Sequence, residues 1–295
     1  MRRPGPADVA QLCCLGAIWG GTFPAVKIAV TYLPTATMVA MRIVVGALAM
    51  AAIAALLGRR PAADRRTWAM YAVIAFVGNV LPFLLIAHGQ RQIDAGLGAI
   101  LMATMPLVTI VLAHAFTGDE KLSLRGVAGV LVGLCGILVL VGIDALKGLG
   151  ADVLAQLSVT GGAMCYALHT VLVRRLTVSS PATHSACVLA VSAAMAVPLA
   201  LATDGPPPTI PMDAVLAILF LGILANGAAY MLYFHIIGTV GAAFTAMTNY
   251  IVPVAGVIWA ALILGERPSL RALLALGLIL SGIAVAHLRL GARKA

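Results

Sequence analysis

The chain has 295 residues, 62% of them hydrophobic and only 10% charged, with a net charge of +9 and a mean hydropathy of +1.07. Soluble domains carry about 25% charged residues, so a water-soluble fold is excluded and a polytopic membrane protein remains. The basic excess does not point to nucleic acid, because it sits in short clusters between apolar runs, where orientation signals belong.

A helix needs about 20 apolar residues to cross the hydrocarbon core. Cutting at charges and Gly/Pro clusters gives ten spans, near 9–27, 34–57, 67–88, 95–117, 121–143, 152–174, 182–203, 212–236, 240–264 and 269–289. No small-residue cleavage site follows the first run, so it reads as a retained span. The charged break from Gly58 to Arg66 separates spans two and three, and the proline-rich loop from Thr203 to Pro211 cannot continue a helix. Cys13, Cys14, Cys135, Cys165 and Cys187 lie in apolar runs without metal-ligand spacing and read as packing residues. No metal or cofactor is expected.

With the N-terminus inside, one set of span ends collects Arg2, Arg3, Arg59, Arg60, Arg65, Arg66, Lys121, Arg125, Arg174, Arg175, Arg289, Arg293 and Lys294. The other collects only Lys27, Arg91, Lys147, Arg267 and Arg271. Basic residues favour the cytoplasmic side, so both termini are expected there.

The stretch from Asn79 to Pro106 returns at an offset of 147 residues: Asn79 falls on Asn226, His88 on His235 and Pro106 on Pro253. Trp19 falls on Tyr166, Lys27 on Arg174 and Pro34 on Pro181. Beyond Pro106 the frame slips by one, and Glu120-x-x-Ser-Leu-Arg recurs from Glu266. One unit is therefore written twice, as residues 1–147 and 148–295. Five spans per unit is an odd number, so the second copy must be inverted. The expected fold is all-α integral membrane, ten transmembrane helices in two inverted five-helix repeats. Secondary transporters recurrently use this plan, with the substrate site near the midplane where the halves meet.

Every acidic residue stands at a span end or in a loop, which argues against a carboxylate-driven ion cycle and against a site for lipophilic cations. Arg42 is the exception among the bases, about 12 Å into span two. Two roles are open to it: a forked bond to a substrate carboxylate, or satisfying loop carbonyls, Glu266 or the interface. Trp19, Asn79, Tyr166, Asn226, Asn249 and Tyr250 fall near span centres, where they could line a cavity or bond between helices. Pro106 and Pro253 each leave a carbonyl unpartnered, on Met102 and Asn249; such carbonyls would suit a substrate ammonium, or the prolines serve packing alone. His114, His169 and His184 have no spacing that singles one out. Glu120 and Glu266 look like acidic starts of the helices that follow. Hydrolase and Walker-type signatures are missing.

Ala17-Ile18-Trp19-Gly20-Gly21-Thr22-Phe23, Arg42 in span two, the span-four and span-nine prolines and the turn Gly265-Glu266-Arg267 resemble the drug/metabolite transporter superfamily, more narrowly its ten-helix EamA branch. The first repeat departs, with Gly118-Asp119-Glu120 one residue longer. The resemblance covers nearly all of the chain. It implies a bacterial inner-membrane exporter of amino acids or related small metabolites, working by alternating access around spans one, three, four, six, eight and nine. The expected transport unit is a monomer in the lipid bilayer. A multidrug exporter and a non-transporting membrane scaffold are the alternatives.

Overall fold

The computed structural model describes residues 4–58, 64–116, 124–141, 151–173, 181–206 and 208–287. It is all-helical in these regions: α1 (Pro6–Tyr32), α2 (Thr35–Leu56), α3 (Arg65–Gln90), α4 (Ala95–Phe116), α5 (Leu124–Val141), α6 (Ala151–Val173), α7 (Pro181–Thr203), α8 (Met212–Thr239), α9 (Thr248–Leu264) and α10 (Leu270–His287). A single turn, Ala242–Thr245, precedes α9. Six of these helices, α1–α4, α7 and α8, are 22 to 28 residues long and apolar enough to cross a bilayer. Leu56, Leu131, Leu138, Leu262 and Leu270 are exposed; an apolar surface of this kind is what a lipid environment requires.

Which helices touch is dictated by the duplication. α2 packs on α7 and α5 on α10, each helix against its own counterpart. α1 packs on α8 and α9, and correspondingly α6 packs on α3 and α4. The counterpart pairs run antiparallel. Thr37, at the start of α2, donates from its backbone N and its Oγ1 to Asp204 Oδ2, just past the end of α7, at 2.8 and 2.9 Å. Arg271, at the start of α10, donates to the carbonyl of Val139 near the end of α5. Equivalent helices running opposite ways is what inversion means, so the odd span count led to the right arrangement.

Two cores hold the bundle. One joins α1, α2, α3, α7 and α8 through Met38, Ile43, Met50, Phe83 and Leu221. The other joins α4, α5, α6, α9 and α10 through Ile100, Leu101, Val159, Ile279 and Ile283. Small residues set the α5–α10 seam: a Cβ on Gly129 would strike the Gly282 carbonyl, and one on Gly282 would strike the Gly129 carbonyl. Close backbone approach of this type gains dispersion contact in a solvent that offers no hydrophobic drive between helices. Gly129→Ala should therefore cost about 1–3 kcal/mol, read as a lower unfolding temperature in detergent. Unchanged stability would show that the two helices can part to admit a methyl group.

Candidate functional site

Arg42 is only 6% exposed and lies where α2, α3, α6 and α8 converge. Its guanidinium stacks over the Phe83 ring at 3.7 Å from the centroid, and one terminal nitrogen donates to Asn226 Oδ1 at 3.2 Å. Tyr166 and Tyr230 stand within electrostatic reach of it. Phe83 and Tyr166 meet edge to face, centroids 6.4 Å apart. Among the described residues Arg42 Nε and Asn226 Nδ2 have no hydrogen-bond partner, and both are buried. A buried guanidinium normally sits against a carboxylate, because an unpaired interior charge costs several kcal/mol. Here it has an aromatic face, one amide oxygen and two adjacent unused donors. Such a constellation is complementary to an incoming carboxylate.

Trp19 joins this group from α1. Its Nε1 donates to the carbonyl of Ala225 at 3.3 Å, the residue before Asn226, and its ring meets Tyr230 at 5.9 Å and Tyr233 at 5.5 Å. Trp19, Tyr166 and Tyr230 keep part of their surface accessible although they stand mid-bundle. The structure thus brings Trp19, Arg42, Tyr166 and Asn226 together and adds Phe83, Tyr230 and Tyr233. The aromatic content of α8, with Tyr230, Tyr233 and Phe234 close together, was the available sequence signal for the last two.

Asn79 and Asn226 occupy equivalent places but face different partners. Each lies in a π-helical segment, Phe76–Val80 in α3 and Phe220–Ala228 in α8. The wider turn adds a residue and redirects the side chain, which is why such segments often mark functional positions. Asn79 donates to Ser192 Oγ on α7 at 3.0 Å, an interhelical bond. Asn226 meets Arg42 on α2. The repeat has conserved the helix-to-helix relation and changed its chemistry.

Met102, Asn249 and Tyr250 fall elsewhere. Met102 and Tyr250 pack on the α4–α10 core, and Asn249 is half-buried in the first turn of α9. α4 is interrupted at Ala103–Thr104, with Pro106 the second residue of the resumed helix. In α9 the interruption falls at Ala246–Met247, whereas the helix runs unbroken through Pro253. Threonine hydroxyls take carbonyls at both breaks: Thr104 Oγ1 donates to Leu101 O and Thr248 Oγ1 to Thr245 O, each at 2.7 Å. In lipid such freed carbonyls need a donor, and a nearby hydroxyl lets the break move away from the proline.

One end of the bundle is tied across the repeats. Glu266, between α9 and α10, accepts from the backbone N of Ala95 at 2.7 Å and of Gly96 at 2.9 Å. It thus caps α4 rather than opening α10, whose N-terminus is capped by Ser269 Oγ, which accepts from Ala272 N at 3.1 Å. The sequence expectation for Glu266 is corrected on this point; Glu120 lies outside the described residues. Gly265, at φ +68, makes the turn that aims this carboxylate and is left-handed, as glycine alone adopts freely. Lys27 Nζ donates to the carbonyls of Gln90 and Ile93 at 2.8 Å each, a cation at a helix C-terminus. Arg91 donates to the Leu33 carbonyl at 2.6 Å. At this end α1 packs on α3 and α4; among the described residues α6 shows no comparable packing on α8 or α9.

A groove of about 770 Å³ runs between α1, α8 and α9, lined by residues such as Ile18, Leu216, Phe220 and Trp259. It faces the apolar surface and does not include Arg42. Its lining includes Lys27, Thr31 and Asp213 but none of the residues around Arg42.

Known proteins share this plan. A solved crystal structure superposes with a TM-score of 0.67 over 96% of this chain and 98% of its own, at 18% identity, which speaks for the fold alone. A probable terminal-alkyne amino-acid exporter of Streptantibioticus cattleyicolor is 27% identical, covering 94% of this chain and 92% of its own. A probable amino-acid metabolite efflux pump of Escherichia coli is 25% identical over 94% of each chain. An uncharacterized transporter of Bacillus subtilis, YoaV, is 23% identical over 90% of this chain and 91% of its own. The profile of the EamA-like transporter family matches twice, at residues 9–142 and 153–288, and the chain belongs to that family.

Proposed function

We propose that this transporter exports amino acids or closely related carboxylate metabolites from the cytoplasm by alternating access around Arg42. The observation that carries the reading is a buried guanidinium that has no carboxylate partner among the described residues, with unused donors on itself and on Asn226. The relatives whose names mention amino-acid export support it. The described acidic residues stand at helix ends, which disfavours cationic drugs as cargo.

On this reading the end tied by Lys27, Arg91, Asp204 and Glu266 is the outer face, both termini are cytoplasmic, and the protein works as a monomer in a bacterial inner membrane. Substrate enters from the cytoplasm while the outer face is tied. Near-equivalent halves then exchange their closed and open ends. Asn79, Met102, Asn249 and Tyr250 are assigned positioning of the moving helices rather than head-group contact.

Purified protein in liposomes should accelerate labelled methionine or threonine flux over empty vesicles, and Trp19→Ala or Tyr166→Ala should lower it by about tenfold without loss of folded protein. Silence across an amino-acid and metabolite panel would favour a scaffold role instead.

A further inference from the structure

Accepting Arg42 as the carboxylate holder leaves the other half of an amino acid's head group without an assigned place. Its ammonium cannot sit beside the guanidinium, since two cations at close range in a low-dielectric interior repel strongly. Nor do the described acidic residues, all at helix ends, offer a counter-charge. What remains for it are neutral acceptors and the negative faces of aromatic rings.

Such a surface stands one helical turn from Asn226. Tyr230 follows Asn226 by four residues on α8, so both lie on one face, and Tyr233 is three residues further on. Trp19 closes the third side from α1. Its ring is held by the bond from Nε1 to the Ala225 carbonyl and lies at 70° to Tyr230 and 46° to Tyr233. Trp19 is thus inclined to both tyrosine rings rather than stacked on either. Tyr166 and Tyr230 both stand within electrostatic reach of Arg42. Unused donors on Arg42 and Asn226 match the acceptor oxygens of an α-amino acid's carboxylate.

We infer that Trp19, Tyr230 and Tyr233 form an ammonium subsite, so that the transporter selects α-amino acids over α-hydroxy acids of the same shape. A desolvated cation over such rings gains enough to be worth about 30-fold in affinity. The inference fits the facing of Asn226 rather than Asn79 to Arg42: α8 carries the amide and, within the next two turns, both tyrosines. It rests on the carboxylate reading of Arg42, and the test separates the two.

Binding of L-methionine and of 2-hydroxy-4-(methylthio)butanoate to the purified full-length protein would be compared by calorimetry. The wild type should prefer methionine by about 30-fold. Trp19→Leu and Tyr230→Leu should reduce the preference below about 3-fold, mainly through methionine, while Tyr230→Phe, which keeps the ring, retains most of it. Arg42→Met should weaken both compounds alike. Equal binding to the wild type, or a preference that survives both leucine variants, overturns the subsite. Loss of preference in Tyr230→Leu with Arg42→Met still binding both compounds would uphold the aromatic subsite and sink the carboxylate reading. No binding of either compound overturns both.

Discussion

Arg42→Met should abolish methionine flux in liposomes while leaving the purified protein at least as stable as the wild type. The two effects have different origins. Holding a lone guanidinium away from water costs several kcal/mol. Against that, the native contacts return one hydrogen bond from a charged donor, about 1.5–3 kcal/mol, and one stacking contact with Phe83, about 0.5–2 kcal/mol. Methionine fills similar volume, keeps apolar contact with Phe83 and removes the unpaired charge, so the balance favours the variant or is level. Transport depends on the very feature that is removed. Arg42→Lys retains a charge but not the planar fork, and its flux should fall about tenfold. Should Arg42→Met lose stability and flux together, Arg42 is a structural residue and the substrate site lies elsewhere.

Glu266→Ala should have the largest effect on stability among the substitutions considered. The carboxylate satisfies two of the N–H groups that the start of α4 leaves without intrahelical partners, at 2.7 and 2.9 Å. Charge-assisted bonds of this kind are worth about 1.5–3 kcal/mol each; partial exposure discounts the sum, giving a loss of about 2–4 kcal/mol. Amide exchange at Ala95 and Gly96 should accelerate by at least about tenfold, because it reports opening of this cap directly. Glu266→Gln, which keeps an acceptor oxygen, should fall between. Unaltered exchange in the alanine variant would mean that the tie is ornamental.

Much of this architecture can be read in the residues themselves. The recurrence of Asn, His and Pro at one offset, with an odd number of spans per copy, implies both the duplication and its inversion. The site is legible only in part. Arg42, Trp19, Tyr166 and Asn226 stand out as polar or aromatic residues at span centres. Phe83, Tyr230 and Tyr233 do not, since an aromatic residue in an apolar run carries no sign of which neighbour it will meet. Asn79 and Asn226 look alike in sequence and differ only through Ser192 and Arg42 on other helices. Glu266 misleads for the same reason: its local context suggests the next helix, whereas its partners are 171 and 170 positions away in the other repeat.

The seam between α5 and α10 has a mechanical consequence. Backbone lying directly on backbone, with Gly129 and Gly282 interlocked, resists sliding because any shift along the axis drives a neighbouring side chain into the gap. Rotation about the line of contact meets no such obstacle. The rim of the bundle formed by these two helices is therefore a stiff seam that holds its register.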